Sequence, residues 1–129
     1  MKTFTLQVKE INRDGDEETK EVELRLKSSD AIKIEEMYKV KLLDFIQDYS
    51  IKAIVTLLRY MLKGGKNAPV TQDEAQDFFD KIVDQGWAVE TIVTDIIMPA
   101  CEASGLLTKS DLDLIRDKKE EAKEQATQA

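Results

Sequence analysis

Ile51-Lys52-Ala53-Ile54-Val55-Thr56-Leu57-Leu58-Arg59-Tyr60-Met61-Leu62 is the stretch that decides the fold of this chain. At helical spacing its apolar side chains point in nearly every direction, so the helix must be covered on all sides, by other elements or by a partner. Ser50 stands where an N-cap is needed. Gly64-Gly65 after Lys63 predicts a stop there, followed by a flexible connection over 63–70 that also holds Asn67 and Pro69.

Upstream, the period changes from helical to two. Phe4, Leu6 and Val8 alternate with polar residues, as do Val22, Leu24 and Leu26, which predicts two half-buried strands. A two-residue turn at Asp14-Gly15 would set Val8 against Glu21 and Leu6 against Glu23, mixing charge into the apolar face. Centring the loop on Gly15 pairs Phe4 with Leu26, Leu6 with Leu24 and Val8 with Val22. The expectation is therefore a three- or five-residue loop with Gly15 left-handed. A lone hairpin is marginal in water, so its apolar face must sit on helices.

Helical spacing resumes at Ser28 or Ser29, which are placed to cap a short helix with Ala31, Ile34, Met37 and Tyr38 inward. A second short helix offers Leu42, Leu43, Ile46 and Tyr49. After the connection, Thr71 and Glu74 have capping-box spacing ahead of a stripe of Ala75, Phe78, Phe79, Ile82 and Val83, closed by Gly86. The next helix, over 88–103, turns Ile92, Val93, Ile96, Ile97 and Ala100 inward. Pro99 removes a donor there and crowds the carbonyl of Asp95, which predicts a kink before Gly105. Thr108 to Asp111 begins a last helix whose apolar content ends with Leu112, Leu114 and Ile115.

The expected fold is α+β, mostly α: an N-terminal β-hairpin packed on about five to six helices. Residues 1–115 form one globular domain, with the hairpin over 3–27 and the helical part over 28–115. Residues 116–129, charged or small throughout, form a charged helix or tail.

The composition narrows the function. Histidine is absent from the 129 residues, which removes the side chain most used for proton transfer near neutral pH. Net charge is −7, and the doubled lysines Lys118 and Lys119 run straight into Glu120 and Glu121. Nucleic acid and anionic membranes are disfavoured by that balance. No apolar run approaches the ~20 residues that span a bilayer. The single cysteine, Cys101, forms no internal disulfide and lies on an aliphatic helix face with no histidine to activate it, which predicts a core role.

Other chemical motifs fail on spacing. A twelve-residue calcium loop counted from Asp14 puts Thr19 where glycine is needed and Arg25 where glutamate is needed; counted from Asn12 it puts Glu17 at the glycine position. Gly64-Gly65-Lys66 lacks the spacing of a phosphate loop. Catalytic, metal and cofactor residues are therefore expected to be none. The aromatics divide: Phe78 and Phe79 belong to a core stripe, whereas Tyr60 and Trp87 are open to core or partner roles.

The order of these features resembles a known group. The hairpin is followed by Ser28-Ser29-Asp30-Ala31-Ile32-Lys33-Ile34-Glu35-Glu36-Met37-Tyr38, then Leu42-Leu43-Asp44-Phe45-Ile46 and the central helix. The Pro69-Val70-Thr71-Gln72-Asp73-Glu74-Ala75 helix start and Ala103-Ser104-Gly105-Leu106-Leu107 complete the pattern. It resembles the tail assembly chaperones of long-tailed bacteriophages and prophages of Gram-positive hosts, over residues 4–107. The resemblance implies a small, mostly helical, non-enzymatic protein of the host cytoplasm. It would bind the tape measure protein while tail tube subunits polymerise around it; covering a long client would in turn call for self-association, a homo-oligomer. It also implies two versions, the longer made by frameshifting, with this chain matching the shorter.

A coating protein needs an apolar groove for a helical client. Leu58, Tyr60, Met61, Trp87 and Ile97, on the central and proline-containing helices or between elements, are the candidate partner-binding residues. Two alternatives stand beside this reading. One is a structural virion or head–tail connector component, which would be found in purified particles. The other is a small bacterial protein-binding adaptor unrelated to phage, which would lack tail genes as neighbours.

Overall fold

A computed structural model describes residues 3–66, 69–108, 110, 111 and 113. Two antiparallel strands, β1 (Phe4–Ile11) and β2 (Glu17–Leu24), precede α1 (Ser28–Tyr38), α2 (Leu42–Gln47), α3 (Ile51–Lys66) and α4 (Gln72–Asp84). A final helical run comprises α5 (Val89–Ile92), a π-turn (Val93–Ile97) and α6 (Met98–Ala103). The fold is α+β and mostly α, as the pattern predicts. Leu112, Leu114 and Ile115, together with the tail over 116–129, lie outside the described residues.

The hairpin register differs from expectation by two residues. Phe4 pairs with Leu24, Leu6 with Val22 and Val8 with Lys20, leaving a five-residue loop over 12–16. Asn12 is the cause. Its side-chain oxygen accepts from the amides of Asp14 and Asp16, each at 3.0 Å, and its own amide donates to the Asp16 carbonyl at 2.9 Å. Gly15 is left-handed as expected, with φ 83°. The shift is even, so the faces survive: Leu6, Val8 and Leu24 still point inward. Leu26 is buried beyond the ladder, with its amide donating to Ser104 Oγ at 3.0 Å.

α3 is the centre of the molecule. Every residue from 53 to 58 and from 60 to 62 is buried, against β2, α2, α4 and the π-turn. The chain's own elements therefore supply the cover that an all-round apolar helix demands. Ser50 caps the helix as predicted, its Oγ accepting from the Ala53 amide at 3.1 Å. The opposite end does not stop at Lys63. The helix runs through Gly64 and Gly65 to Lys66, and this pair is a packing contact instead of a flexible connector. A Cβ on Gly64 would sit 2.0 Å from the Arg25 carbonyl oxygen, and one on Gly65 would sit 2.0 Å from that of Glu23. Only glycine lets helix and strand backbones approach so closely. The Arg25 amide donates to the Met61 carbonyl at 3.0 Å in the same contact.

Smaller differences follow from local competition. α1 begins at Ser28 behind Lys27 with no side-chain cap, so neither serine acts as the N-cap. Met37 is more than half exposed, because, of its apolar residues, α1 turns only Ala31 and Ile34 fully inward. Val83, on the predicted α4 stripe, is likewise exposed at its margin. Glu35 reaches back to accept from the Leu42 amide at 3.0 Å and caps α2, which ends at Gln47 before a left-handed Tyr49. The predicted irregularity at Pro99 takes the form of a π-turn, with the Met98 amide donating to the Val93 carbonyl. The wider turn leaves room where the proline ring would crowd the preceding turn and where a donor is missing.

Gly65→Ala separates the two roles of the glycine pair. Free of close contacts, alanine would stabilise the chain by up to about 1 kcal/mol by lowering the conformational entropy of the unfolded state. Against the Glu23 carbonyl it should instead cost about 1–3 kcal/mol net. A denaturant melt of Gly65→Ala reads the sign directly.

Candidate partner-binding surface

The five candidate residues do not share an open groove. Leu58, Met61 and Ile97 are completely buried, and Tyr60 is nearly so. The guanidinium of Arg59 and the ammonium of Lys63 lie 5.5 and 5.9 Å from the Tyr60 ring centre, adding cations to a ring already packed in the core. Trp87 alone remains partly exposed, seated against the core after Gly86. The groove proposed along the central and proline-containing helices is thus filled by the protein's own side chains. The reason is packing: from Ala53 to Leu62 the apolar periphery of α3 is consumed by β2, α4 and the π-turn, and only Ile51 at its start is left exposed.

Accessible surface with character lies elsewhere, along β1, β2 and α4. Glu10, at the end of the inward face of β1, is bridged by Lys20 Nζ from β2 at 2.7 Å and by Lys81 Nζ from α4. The Lys20 hydrogen bond, with that of Lys81 second, holds the Glu10 carboxyl down at about 2. Glu10 in turn raises the Lys20 ammonium. Beside this triad a cleft of about 380 Å³ opens between β2, α3 and α4, with Val22, Leu62 and Phe78 among its apolar walls and Lys20, Lys66 and Glu74 at its rim.

A second groove, of about 520 Å³, runs between residues 9–11 of β1 and the acidic face of α4. Gln85, at the C-terminus of α4, spans it. Its Oε1 accepts from the Lys9 amide at 3.1 Å and its Nε2 donates to the Lys9 carbonyl at 2.6 Å. That primary amide meets the outer edge of β1 as a neighbouring strand would. Asp77, Asp80 and Asp84 form the opposite wall. Their spacing places them on one face of α4, a ladder legible in the sequence by its i, i+3, i+7 spacing and not singled out there. The Gln85 clamp had no sequence signal, since it depends on where α4 ends against a strand 76 residues away.

Burial pushes the Cys101 thiol up to about 12, and it is fully enclosed. Among the described residues no three metal-ligating side chains group together, and no helix is long and apolar enough to cross a membrane. Compared with known proteins, the chain matches no family model, no curated protein and no solved structure.

Two expectations follow. Leu58→Asp places a carboxylate where no water or partner reaches it, at a cost above about 4 kcal/mol. Circular dichroism should show it losing cooperative unfolding, and a melt close to the parent would return Leu58 to the surface. Glu10 titrates lower in the folded state than in the unfolded chain, so its contribution is fully present above about 4.5 and is lost as pH falls towards about 2. Glu10→Gln should therefore flatten the fall in melting temperature across that window, and an unchanged acid limb would dissociate the triad from stability.

Proposed function

We propose that this chain is a non-catalytic protein-binding factor that acts as a phage tail assembly chaperone in the host cytoplasm. It binds the tape measure protein and helps recruit tail tube subunits as the tail grows. The observation that carries the reading is the order of elements over residues 4–107, a hairpin locked onto an enclosed central helix and then the Thr71-capped helix α4. The same order carries the family resemblance. An enclosed, inert thiol and carboxylates held in ion pairs also suit a binder better than a catalyst. Binding to the client runs through the surface of β1, β2 and α4, because the central helix is spent on the core.

The test is co-expression with the tape measure protein encoded in the same genome. The expected outcome is a tape measure protein that stays soluble and co-purifies with the chain, while purified virions lack it. An insoluble, unaccompanied tape measure protein, or stoichiometric retention of the chain in finished particles, would overturn the assignment.

A further inference from the structure

The two edges of the hairpin are treated differently. On β2 only the C-terminal end of the outer edge is closed: the Arg25 amide just beyond the strand is used by Met61, and the Glu23 and Arg25 carbonyls lie against the glycines of α3, while Glu17, Thr19 and Glu21 remain exposed. Along β1 the outer edge is met only at Lys9, and there by a side-chain amide. Antiparallel residues alternate between pairing inward and facing the free edge, so the backbone groups of Thr5, Gln7 and Ile11 face the same way as those of Lys9. Among the described residues none of these has a partner on that edge. Strands left like this are usually blunted by a bulge, a proline, a covering element or charge. β1 has no bulge or proline; its protection is charge, Lys9 on the outer face and Glu10 on the inner, and both are already held in ion pairs. Ile11 is 78% exposed at its end.

We propose that the edge of β1 accepts an extended, lysine- or arginine-bearing segment of another polypeptide as a third strand, whose backbone takes the place of the Gln85 amide at Lys9. Gln85 supplies one peptide-like group where a strand would supply several, so the incoming chain gains hydrogen bonds on displacing it. Charge selects the occupant. Lys20 and Lys81 share the Glu10 carboxylate and Lys9 faces Glu17 at 3.6 Å, whereas Asp77, Asp80 and Asp84 have no cation within ion-pair distance among the described residues. A second copy of this chain, with net charge −7, is the less suitable guest.

The faces are fixed as well. Glu10 points to the α4 side and Ile11 to the opposite side, so alternate side chains of the new strand meet different surroundings. Residues opposite Lys9 and Ile11 share the outer face with Ile11 and exchange backbone hydrogen bonds with β1. Their neighbours point towards the carboxylates of α4 and turn their own amides away. A basic residue at every second position, with an apolar residue between, suits both. This inference is independent of the tail-assembly reading: it assigns a surface and a chemistry to the partner, whichever process uses them.

The experiment is a fluorescence anisotropy titration of the full chain with a labelled octapeptide alternating lysine and valine. It is run alongside its glutamate-for-lysine counterpart and two N-methylated versions of the lysine peptide. The lysine peptide should bind and weaken with salt, and the glutamate peptide should not bind. Methylation of the valine amides should abolish binding, while methylation of the lysine amides should leave it. Asp80→Asn and Asp84→Asn should each weaken binding about twofold to fivefold. Equal binding by the two methylated peptides would mean charge attraction without strand pairing and would overturn the proposal, as would silence from the lysine peptide. Sedimentation showing a dimer that Gln7→Pro dissolves would assign the edge to a second copy and overturn it equally. Because the methyl groups are on the peptide, the decisive comparison leaves the protein's fold untouched.

Discussion

The close approach of α3 to β2 is the contact on which the rest of the structure depends. Two successive glycines bring the end of the helix against two strand carbonyls, with a cross-link from the Arg25 amide to the Met61 carbonyl. An isolated hairpin of this size would not hold in water. Here one face and the end of one edge are taken up by the helical body, and the hairpin becomes a wall of the core. Asp30 reinforces the same end of α3. It is buried in the first turn of α1 and faces Lys63 Nζ at 3.3 Å, tying the start of one helix to the end of the other. Only the carboxylate of this pair is buried, the Lys63 side chain being 36% exposed, so the contact places the two helix ends rather than adding much stability.

Most of the architecture was legible because it rests on periodicity. The alternation in β1 and β2, the stripe on α4 and the all-round apolarity of α3 each demand one kind of burial, and the structure supplies it. What could not be read depends on contacts distant in sequence or on short-range competition. The hairpin register turned on whether Asn12 or Gly15 organises the loop, and a side-chain amide accepting two backbone donors outweighed the simplest pairing of apolar residues. The glycine pair illustrates the other kind. In sequence, Gly64-Gly65 is indistinguishable from a hinge, because the strand carbonyls that require it lie some forty residues away.

The candidate site was misplaced for a related reason. An apolar residue such as Met61 or Ile97 looks the same whether it faces a client or a neighbouring helix, and only the packing inventory decides. Once β2, α4 and the π-turn have taken their places around α3, no apolar face of that helix remains. The informative surface residues were the less conspicuous ones. Asp77, Asp80 and Asp84 announce a common face by spacing alone, but their significance appears only when β1 is set beside them.

Recognition is thereby moved from greasy area to backbone and charge, with consequences for how a partner would be held. An apolar cleft gives affinity roughly in proportion to area and discriminates weakly between clients. A strand edge gives directional hydrogen bonds that any extended sequence can make, so its selectivity must come from flanking side chains. Here those flanking groups are three carboxylates on a rigid helix and one exposed isoleucine. Such an arrangement suits a segment that is extended when first exposed and is later released, because exposed ion pairs are weak and screened by salt. Gln85 fits that reversibility. By occupying the Lys9 position when no strand is there, it keeps the edge from idle pairing and offers a ready competitor when a guest has to leave.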